Sequence, residues 1–177
     1  KLDVVTIKVG YPDKWRDYSS LKISRESYAG NELATRAFDV AYEMAKLGKP
    51  VDRTEWTMTP PTNNAYYNPS MNEIVLPAGI LQPPFFDPKA DEAANYGALA
   101  STIGHELTHA FDDEGSQYDA DGNLKAWWTP EDRKAFESRA AGVIKQYDGF
   151  EAVPGVYLNG KQTLGENIAD IGGLKVA

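Results

Sequence analysis

The 177-residue sequence has no cysteine and only two histidines, and its charge is predominantly negative. Without cysteine, neither a disulfide framework nor a thiolate metal site can form. Eighteen basic residues stand against 26 acidic ones, which gives a formal net charge of -8 with no run of Lys or Arg to follow a phosphate backbone. Nucleic acid is therefore not an expected partner. The longest apolar stretches are interrupted by Pro, Gly or Asp well before they reach the length of a membrane span.

The composition supports one sizeable core, since 42% of the residues are hydrophobic and 11% are aromatic. Helical periodicity alternates with loops and with one or two short strands, so we expect an α+β fold that is mainly helical. One amphipathic helix is predicted within residues 31–50, where an apolar series precedes a Gly-Lys-Pro stop. The apolar series at helical spacing is Leu33, Ala34, Phe38, Ala41 and Met44.

Three more helices are expected along the chain. They run from Asp91 to about Asp112, from about Pro130 to Tyr147, and from about Thr163 onward. Prolines prevent a continuous helix between residues 63 and 88, where the segment "NEIVLP" is typical of a strand. We predict strand, strand and apolar loop there. In the last helix, the pair Gly172-Gly173 is expected to permit close helix packing or a bend.

The segment "GHELTHAFDDEG" contains both histidines of the chain, four residues apart. On a helix with about 100° per residue, His109 lies about 40° from His105, and Asp112 lies about 20° to the other side. Zinc accepts two such imidazoles and a third protein ligand while keeping one position for water. Glu106 can then reach that water, which is why H-E-x-x-H on a helix is a zinc peptidase signature. The nearly opposite face of this helix is apolar and consists of Leu99, Ile103 and Leu107.

Spacing excludes some positions for the third ligand. Gly115 stands six residues after His109, where a metzincin would have its third histidine, so that class is excluded. In thermolysin-like patterns a glutamate follows the second histidine by about 20 residues, and the nearest acid to that position is Glu131. This glutamate follows Pro130 in an expected first helical turn, where the helix dipole explains an acid equally well.

Glu166 in "TLGENIADIGG" is the second candidate for the third ligand. It shares a helix face with Asp170, four residues later, so the segment brings two carboxylates to one polar stripe. The same glutamate also matches a capping box with Thr163, in which its side chain would bond back to the helix start. The local pattern alone leaves both interpretations of Glu166 open.

Four segments together resemble the neprilysin family of zinc metallopeptidases, in particular its bacterial oligopeptidase members. They occur in the family's order and are "YPDKWRDYS", "NNAYYNPSMNEIVLPAGILQPPFF", "GHELTHAFDDEG" and "GENIADIGG". The resemblance implies a thermolysin-like catalytic lobe with a small strand region, in which His105, His109 and Glu166 bind one zinc ion. It also implies that Glu106 is the catalytic carboxylate of a zinc-dependent endopeptidase that hydrolyses short peptides.

The resemblance assigns further roles around the expected zinc site. Asp112 and Asp170 fall where the family keeps acids that orient the ligand histidines, and Asp170 is also counted with Glu106 among the catalytic residues. Substrate contacts are expected from an Asn-Ala pair that clamps an extended peptide and from apolar residues near a specificity pocket. These residues are Asn64 and Ala65 for the clamp, and Ile80, Phe85 and Phe86 for the pocket. Apolar side chains there would favour cleavage on the amino side of hydrophobic residues.

The sequence also departs from the family's pattern. The family has a large helical domain before the matched region and a transition-state His and Arg after the "GENIAD" helix. We therefore expect residues 1–177 to be a partial metallopeptidase catalytic domain, whose partners are a peptide substrate and the remainder of its own polypeptide. Zinc binding is expected more strongly than turnover by this chain alone, and the alternative is a catalytically incompetent, zinc-stabilised binding or structural fragment. The lack of cysteine favours a bacterial source, with an extracytoplasmic location preferred and a cytoplasmic one left open.

Overall fold

Residues 1–177 are described by a computed structural model, in which they group into two units. One unit is Pro12–Thr57, and the other combines Lys1–Tyr11 with Met58–Ala177. Five α-helices and five short strands confirm the prediction of a mainly helical α+β fold. Among the helices, none combines the length and the apolar character that crossing a bilayer requires.

The unit Pro12–Thr57 is built around helix α1, Tyr28–Met44. The helix begins one turn before the predicted segment because the Ser27 hydroxyl accepts the backbone N–H of Gly30 at 3.0 Å. The covered stripe also differs from the predicted one. Phe38 is half-buried, whereas the predicted Leu33 and Met44 are exposed.

An arginine explains the position of this stripe. The Arg16 guanidinium lies 3.9 Å from the ring centre of Tyr42 and 4.9 Å from that of Phe38, and it binds Asp39 at 2.8 Å. These partners follow one side of α1, so the helix is covered by stacked aromatic and guanidinium groups rather than by its most apolar face.

The other unit contains a three-stranded sheet with a fully buried central strand. Strand β1 is Thr6–Gly10, β2 is Tyr66–Asn68 and β3 is Glu73–Pro77. The order is β1-β3-β2, with β1 parallel and β2 antiparallel to β3. β2 is thus an edge strand. The predicted sequence of strand, strand and apolar loop is confirmed, and a short 3-10 helix, Ala78–Ile80, begins the loop.

The core of this unit lies between the sheet and the helix that carries His105 and His109. Its buried members are Ala65, Ile74, Leu76 and Ile80. The partly buried Leu99, Ile103 and Leu107 pack against this cluster, as the apolar face of the helix predicted. Burial of this face fixes which side of the helix is left for the histidines.

The helix predicted from Asp91 to about Asp112 runs as unbroken helical backbone from Glu92 to His109, with a π-helical turn inside it. It consists of α2, Glu92–Asn95, the π-helical turn, Tyr96–Ala100, and α3, Ser101–His109. The Asp91 side chain caps α2 by accepting the N–H of Ala93 at 2.8 Å. Asp112 lies beyond the end of α3, so it does not share a helix face with the histidines.

Two further helices complete this unit. Helix α4, Pro130–Asp148, begins after Thr129, whose hydroxyl accepts the N–H of Asp132 at 3.1 Å. A hairpin of β4, Glu151–Val153, and β5, Val156–Tyr157, follows it. Helix α5, Leu164–Val176, closes the chain. The predicted positions of both helices are confirmed to within one or two residues.

Glycines allow α3 and α5 to lie against each other with their backbones in close approach. A Cβ atom on Gly173 would overlap the backbone oxygen of Ser101 and lie 2.9 Å from the backbone nitrogen of His105. On α3, a Cβ atom on Gly104 would lie 3.0 Å from the Cα atom of Gly173. The expectation of close helix packing at the glycine pair is confirmed.

Gly173→Ala should separate α3 from α5. The added methyl group meets backbone atoms, which cannot rotate away, so we expect a loss of about 1–3 kcal/mol in the free energy of unfolding. Urea denaturation measures this loss. The matched control is Gly142→Ala on α4, where an added Cβ meets nothing within 4 Å and a gain of about 0.5–1 kcal/mol is expected. Equal effects at the two positions would contradict the close-packing argument.

Candidate metal centre

The two histidines project from α3 with their ring nitrogens converging. Their Nε2 atoms lie 3.0 Å apart, and the rings meet edge to face with centroids 4.6 Å apart. A separation of four residues places both side chains one turn apart on the same side of the helix. The apolar residues on the other side of α3 hold this orientation by packing on the core.

Glu166 brings a carboxylate to the same point from α5. Its Oε2 atom lies 3.3 Å from Nε2 of His105 and 3.6 Å from Nε2 of His109. The three side chains form a group in which one ligand atom from each lies within 4.8 Å of the others. The structure therefore brings together the three residues predicted to bind a metal.

Each histidine is held by a carboxylate at its other nitrogen. Nδ1 of His105 lies 2.8 Å from Oδ1 of Asp170, and Nδ1 of His109 lies 2.6 Å from Oδ2 of Asp112. Since an ionised carboxylate only accepts hydrogen bonds, each Nδ1 carries the proton and each Nε2 presents a lone pair. Two such nitrogens 3.0 Å apart can share one cation between them.

Asp112 acts from a turn rather than from the predicted helix face. It is buried, and its Oδ1 atom accepts the backbone N–H groups of Glu114 at 2.9 Å and Gly115 at 2.7 Å. Burial lowers the pKa of His109, but the hydrogen bond to Asp112 and the charges of Asp112, Glu166 and Glu106 outweigh it and raise the pKa. The imidazole is thereby a more basic donor.

Glu106 is buried beside the histidines, with 5% of its surface exposed. Burial raises the pKa of this carboxyl group, and the nearby charge of Glu166 acts in the same direction. His109, His105 and a backbone hydrogen bond from Tyr67 oppose the shift without cancelling it. A carboxyl group with a raised pKa is suited to exchanging protons near neutral pH.

A cavity of about 320 Å³ opens in front of these residues. Its lining consists of Asn64, Ala65, Tyr66, Tyr67, Pro69, His105, Glu106, His109, Asp112, Glu114, Gly115 and Glu166. The predicted clamp pair is thus placed at the cavity, on the segment that leads into β2. The three predicted pocket residues are not in its lining, because Ile80 and Phe85 pack in the core and Phe86 is half-buried in the loop.

The two candidates for the third ligand lie in different places. Glu131 lies exposed in the first turn of α4 and is not in the group with the histidines. The Thr163 hydroxyl accepts the side-chain amide of Asn167 at 2.8 Å and makes no capping bond to the start of α5. Glu166 is therefore directed to the histidines rather than to a capping box.

Some residues at the cavity are not indicated by the sequence. Tyr66 and Tyr67 line it from β2, and Glu114 lines it from the turn after α3. Alternation along "NNAYYNP" is a signal for the strand but does not say which face meets the histidines. No sequence signal indicates Glu114.

A family model described as peptidase family M13 matches residues 64–177. The chain belongs to peptidase family M13. This confirms the resemblance to the neprilysin family and makes the chain part of a peptidase family. The M13 match covers the edge strand, α3 and α5, and so includes every residue of the candidate metal centre.

Relatives of this M13 chain include an animal protein and two bacterial structures. The endothelin-converting enzyme homolog of Locusta migratoria is 46% identical over 184 residues, which cover 100% of this chain and 25% of that protein. The zinc metalloprotease Zmp1 of Mycobacterium tuberculosis, solved with an inhibitor, has a TM-score of 0.93 at 55% identity, covering 98% of this chain and 27% of Zmp1. PepO from Lactobacillus rhamnosis HN001 has a TM-score of 0.90 at 39% identity, covering 98% of this chain and 28% of PepO. The chain thus spans about a quarter of the length of the curated relatives that it matches.

Glu106→Gln should stabilise the metal-free chain at neutral pH. The pKa of Glu106 is raised above 4.5 in the fold, so the stability that its neutral form provides is lost as the pH rises through the folded-state pKa. Glutamine stays neutral throughout. In thermal unfolding with EDTA, the Tm advantage of the variant should be absent near about pH 4 and grow towards about pH 8.

Glu114→Gln is the matched control, because it removes one negative charge from an exposed carboxylate at the same cavity. A Tm difference between Glu106→Gln and the parental chain that does not change with pH would contradict the assigned cause.

Proposed function

We propose that the chain carries the zinc site of a zinc-dependent endopeptidase that hydrolyses short peptides. The observation that carries this proposal is the triangle of donor atoms from His105, His109 and Glu166, with edges of 3.0, 3.3 and 3.6 Å. Ligands about 2.0–2.1 Å from a tetrahedral zinc ion lie about 3.3 Å from one another. Two imidazoles and one carboxylate are also a donor set of catalytic zinc sites, which keep a fourth position open.

When bound, zinc supplies Lewis acidity, which polarises a peptide carbonyl and acidifies a coordinated water molecule. The residues of the chain supply binding and proton transfer. Glu106 would accept the proton of the attacking water and deliver it to the leaving amine, since its carboxyl group is buried directly beside the proposed ligands. Its side chain lines the same cavity as the three proposed ligands.

Asp112 and Asp170 would support these steps through the histidines. Each accepts a hydrogen bond from one Nδ1 atom and so fixes the tautomer in which Nε2 is the donor to the metal. We propose that Asp170 contributes to catalysis beside Glu106 by positioning His105, since its carboxylate lies 2.8 Å from Nδ1 of that histidine.

The edge strand β2 supports binding of an extended peptide. An edge strand can pair with a peptide through main-chain groups, and the preceding Asn64 and Ala65 line the cavity. The Asn64 side-chain oxygen accepts the N–H of Ala65 at 2.9 Å, which leaves its NH2 group to donate to a ligand. We propose these two residues as the substrate clamp.

We also propose cleavage on the amino side of hydrophobic residues. Ala65 belongs both to the cavity lining and to the apolar cluster that contains Ile80. Phe85 packs against the same cluster. A pocket that deepens at Ala65 would therefore meet apolar walls, to which Phe86 of the same loop would contribute.

The alternative of a catalytically incompetent, zinc-stabilised fragment is not favoured by the geometry. Such a site has no use for a buried carboxyl group beside the ligands, because burying Glu106 costs stability. We propose instead that residues 1–177 are part of a catalytic domain, with a peptide substrate and the remainder of the polypeptide as partners. Bacterial relatives fit the predicted bacterial source, and an extracytoplasmic location stays a prediction.

Glu166→Gln should weaken zinc binding by more than about tenfold, because loss of a ligand should exceed the effect of losing an outer partner. Affinity is measured by competition with a chromophoric chelator, and elemental analysis of the parental chain should give one zinc per chain. Glu131→Gln is the matched control and should bind zinc like the parental chain. The double variant His105→Ala, His109→Ala provides the reference without a site. A larger loss of zinc affinity in Glu131→Gln than in Glu166→Gln would contradict the assignment of Glu166 as the third ligand.

Glu106→Gln should retain zinc and lose turnover by at least about a hundredfold, the usual contribution of general acid–base catalysis. Hydrolysis of a quenched fluorogenic peptide with an internal hydrophobic residue measures this, for the chain and for any longer polypeptide in which it occurs. Glu114→Gln, at the same cavity, should keep most of the activity. Near-parental turnover by a zinc-loaded Glu106→Gln variant would show that another group is the base.

A further inference from the structure

The side chain of Lys1 is bound within the turn that follows α3. Its Nζ atom donates to the backbone oxygens of Ala110 at 2.8 Å, Gly115 at 2.6 Å and Tyr118 at 2.8 Å. An ammonium group has three N–H donors, so this arrangement uses all of them. The segment 110–118, which we call the Asp112 loop, is thus gathered around one cation.

Aromatic rings complete the surroundings of this cation. Nζ of Lys1 lies 5.7 Å from the ring centre of Tyr67, 5.9 Å from that of Phe111 and 5.8 Å from that of Trp127. Each distance is within the range of a cation–π attraction. Burial lowers the pKa of Lys1, while the negative charges of Asp112 and Asp119 oppose this effect. The ammonium therefore balances Asp112, which lies in the loop, and Asp119, which follows it.

The Asp112 loop connects this cation to a proposed zinc ligand. Gly115 is held from both sides, since its carbonyl accepts from Lys1 and its N–H donates to Oδ1 of Asp112 at 2.7 Å. The other oxygen of Asp112 binds Nδ1 of His109 at 2.6 Å. A chain of three contacts thus leads from the Lys1 ammonium to the imidazole.

The backbone of Lys1 is fixed as well. Its carbonyl oxygen accepts the side-chain amide of Asn72 at 3.1 Å, and the oxygen of that amide accepts the Tyr67 hydroxyl at 2.8 Å. Asn72 is buried and adopts a left-handed backbone conformation with φ of 47°. The lysine is therefore anchored to the connection between β2 and β3 while its ammonium holds the Asp112 loop.

We propose that Lys1 is a positioning residue of the metal centre, which sets the Asp112 loop and through it the orientation of His109. This inference rests on the proposed zinc site. Lys1 is not among the residues that line the cavity. Its ammonium donates hydrogen bonds to three carbonyl oxygens of the loop, so that the Asp112 carboxylate faces Nδ1 of His109.

Lys1→Met, which shortens the side chain by one atom and removes its charge, tests the proposal. We expect the affinity for Zn²⁺, measured by chelator competition, to fall by about tenfold, as for loss of an outer partner of a ligand. The visible spectrum of the Co²⁺-loaded chain should change, because the orientation of His109 changes. Amide hydrogen exchange at Glu114 and Gly115 should accelerate in the metal-free chain, because both N–H groups depend on Asp112.

Chemical rescue separates positioning from general stability. Lys1→Ala removes the atoms of one n-propylammonium ion, so millimolar propylammonium should restore exchange protection and Zn²⁺ affinity. Tetramethylammonium at the same concentration has the same charge but no N–H donor, and it should restore neither.

Lys8→Met is the matched control. Lys8 lies in the same unit and pairs at 2.6 Å with the buried Glu73, so its loss should lower the Tm without altering the Co²⁺ spectrum. The proposal is overturned if Lys1→Met lowers the Tm but leaves Zn²⁺ affinity and exchange at Gly115 unchanged. It is also overturned if propylammonium and tetramethylammonium have equal effects on Lys1→Ala. If the parental chain binds no Zn²⁺, the zinc proposal fails, whereas exchange at Glu114 and Gly115 still decides whether Lys1 orders the loop.

Discussion

The close approach of α3 and α5 is the constraint on which the metal centre depends. Gly104 on one helix and Gly173 on the other allow their backbones to meet without intervening side chains. Because the helices lie so near, the short side chain of Glu166 reaches both imidazoles, and Asp170, one turn later, reaches the first of them. The apolar face of α3 packs on the sheet, which leaves the histidines on the side that α5 and the cavity share. Two small residues thus determine which donors can converge.

The sequence predicts those parts of the structure that depend on local periodicity. The apolar positions at 99, 103 and 107 identify the buried face of α3, and the spacing of His105 and His109 identifies the convergent one. The sequence does not by itself select the third ligand. The distance between two helices depends on tertiary packing, which local sequence patterns do not show. The resemblance to a known family indicates Glu166, and the two glycines explain how α5 brings this carboxylate close to the histidines.

Other features lie outside what periodicity can show. Asp112 was predicted on the helix face but meets His109 from a turn, since the helix ends at that histidine and the chain folds back. The stripe on α1 follows the Arg16 guanidinium rather than the most apolar side chains. Lys1 contacts carbonyl groups more than a hundred residues away, and any lysine in any loop has the same local signature. In each case, a long-range or charged contact decides the outcome.

Division of the proposed ligands between two helices makes metal binding and helix docking thermodynamically linked. Two donors lie on α3 and one on α5, so an ion bound to all three acts as a cross-link between segments about 60 residues apart in sequence. Whatever free energy the ion gains from Glu166, the docked state of α5 gains as well. Removal of the ion would weaken the docking of α5 on α3, although the glycine contacts between the two helices would remain. The metal centre would thus add a second tie between two helices that the glycine contacts already bring together.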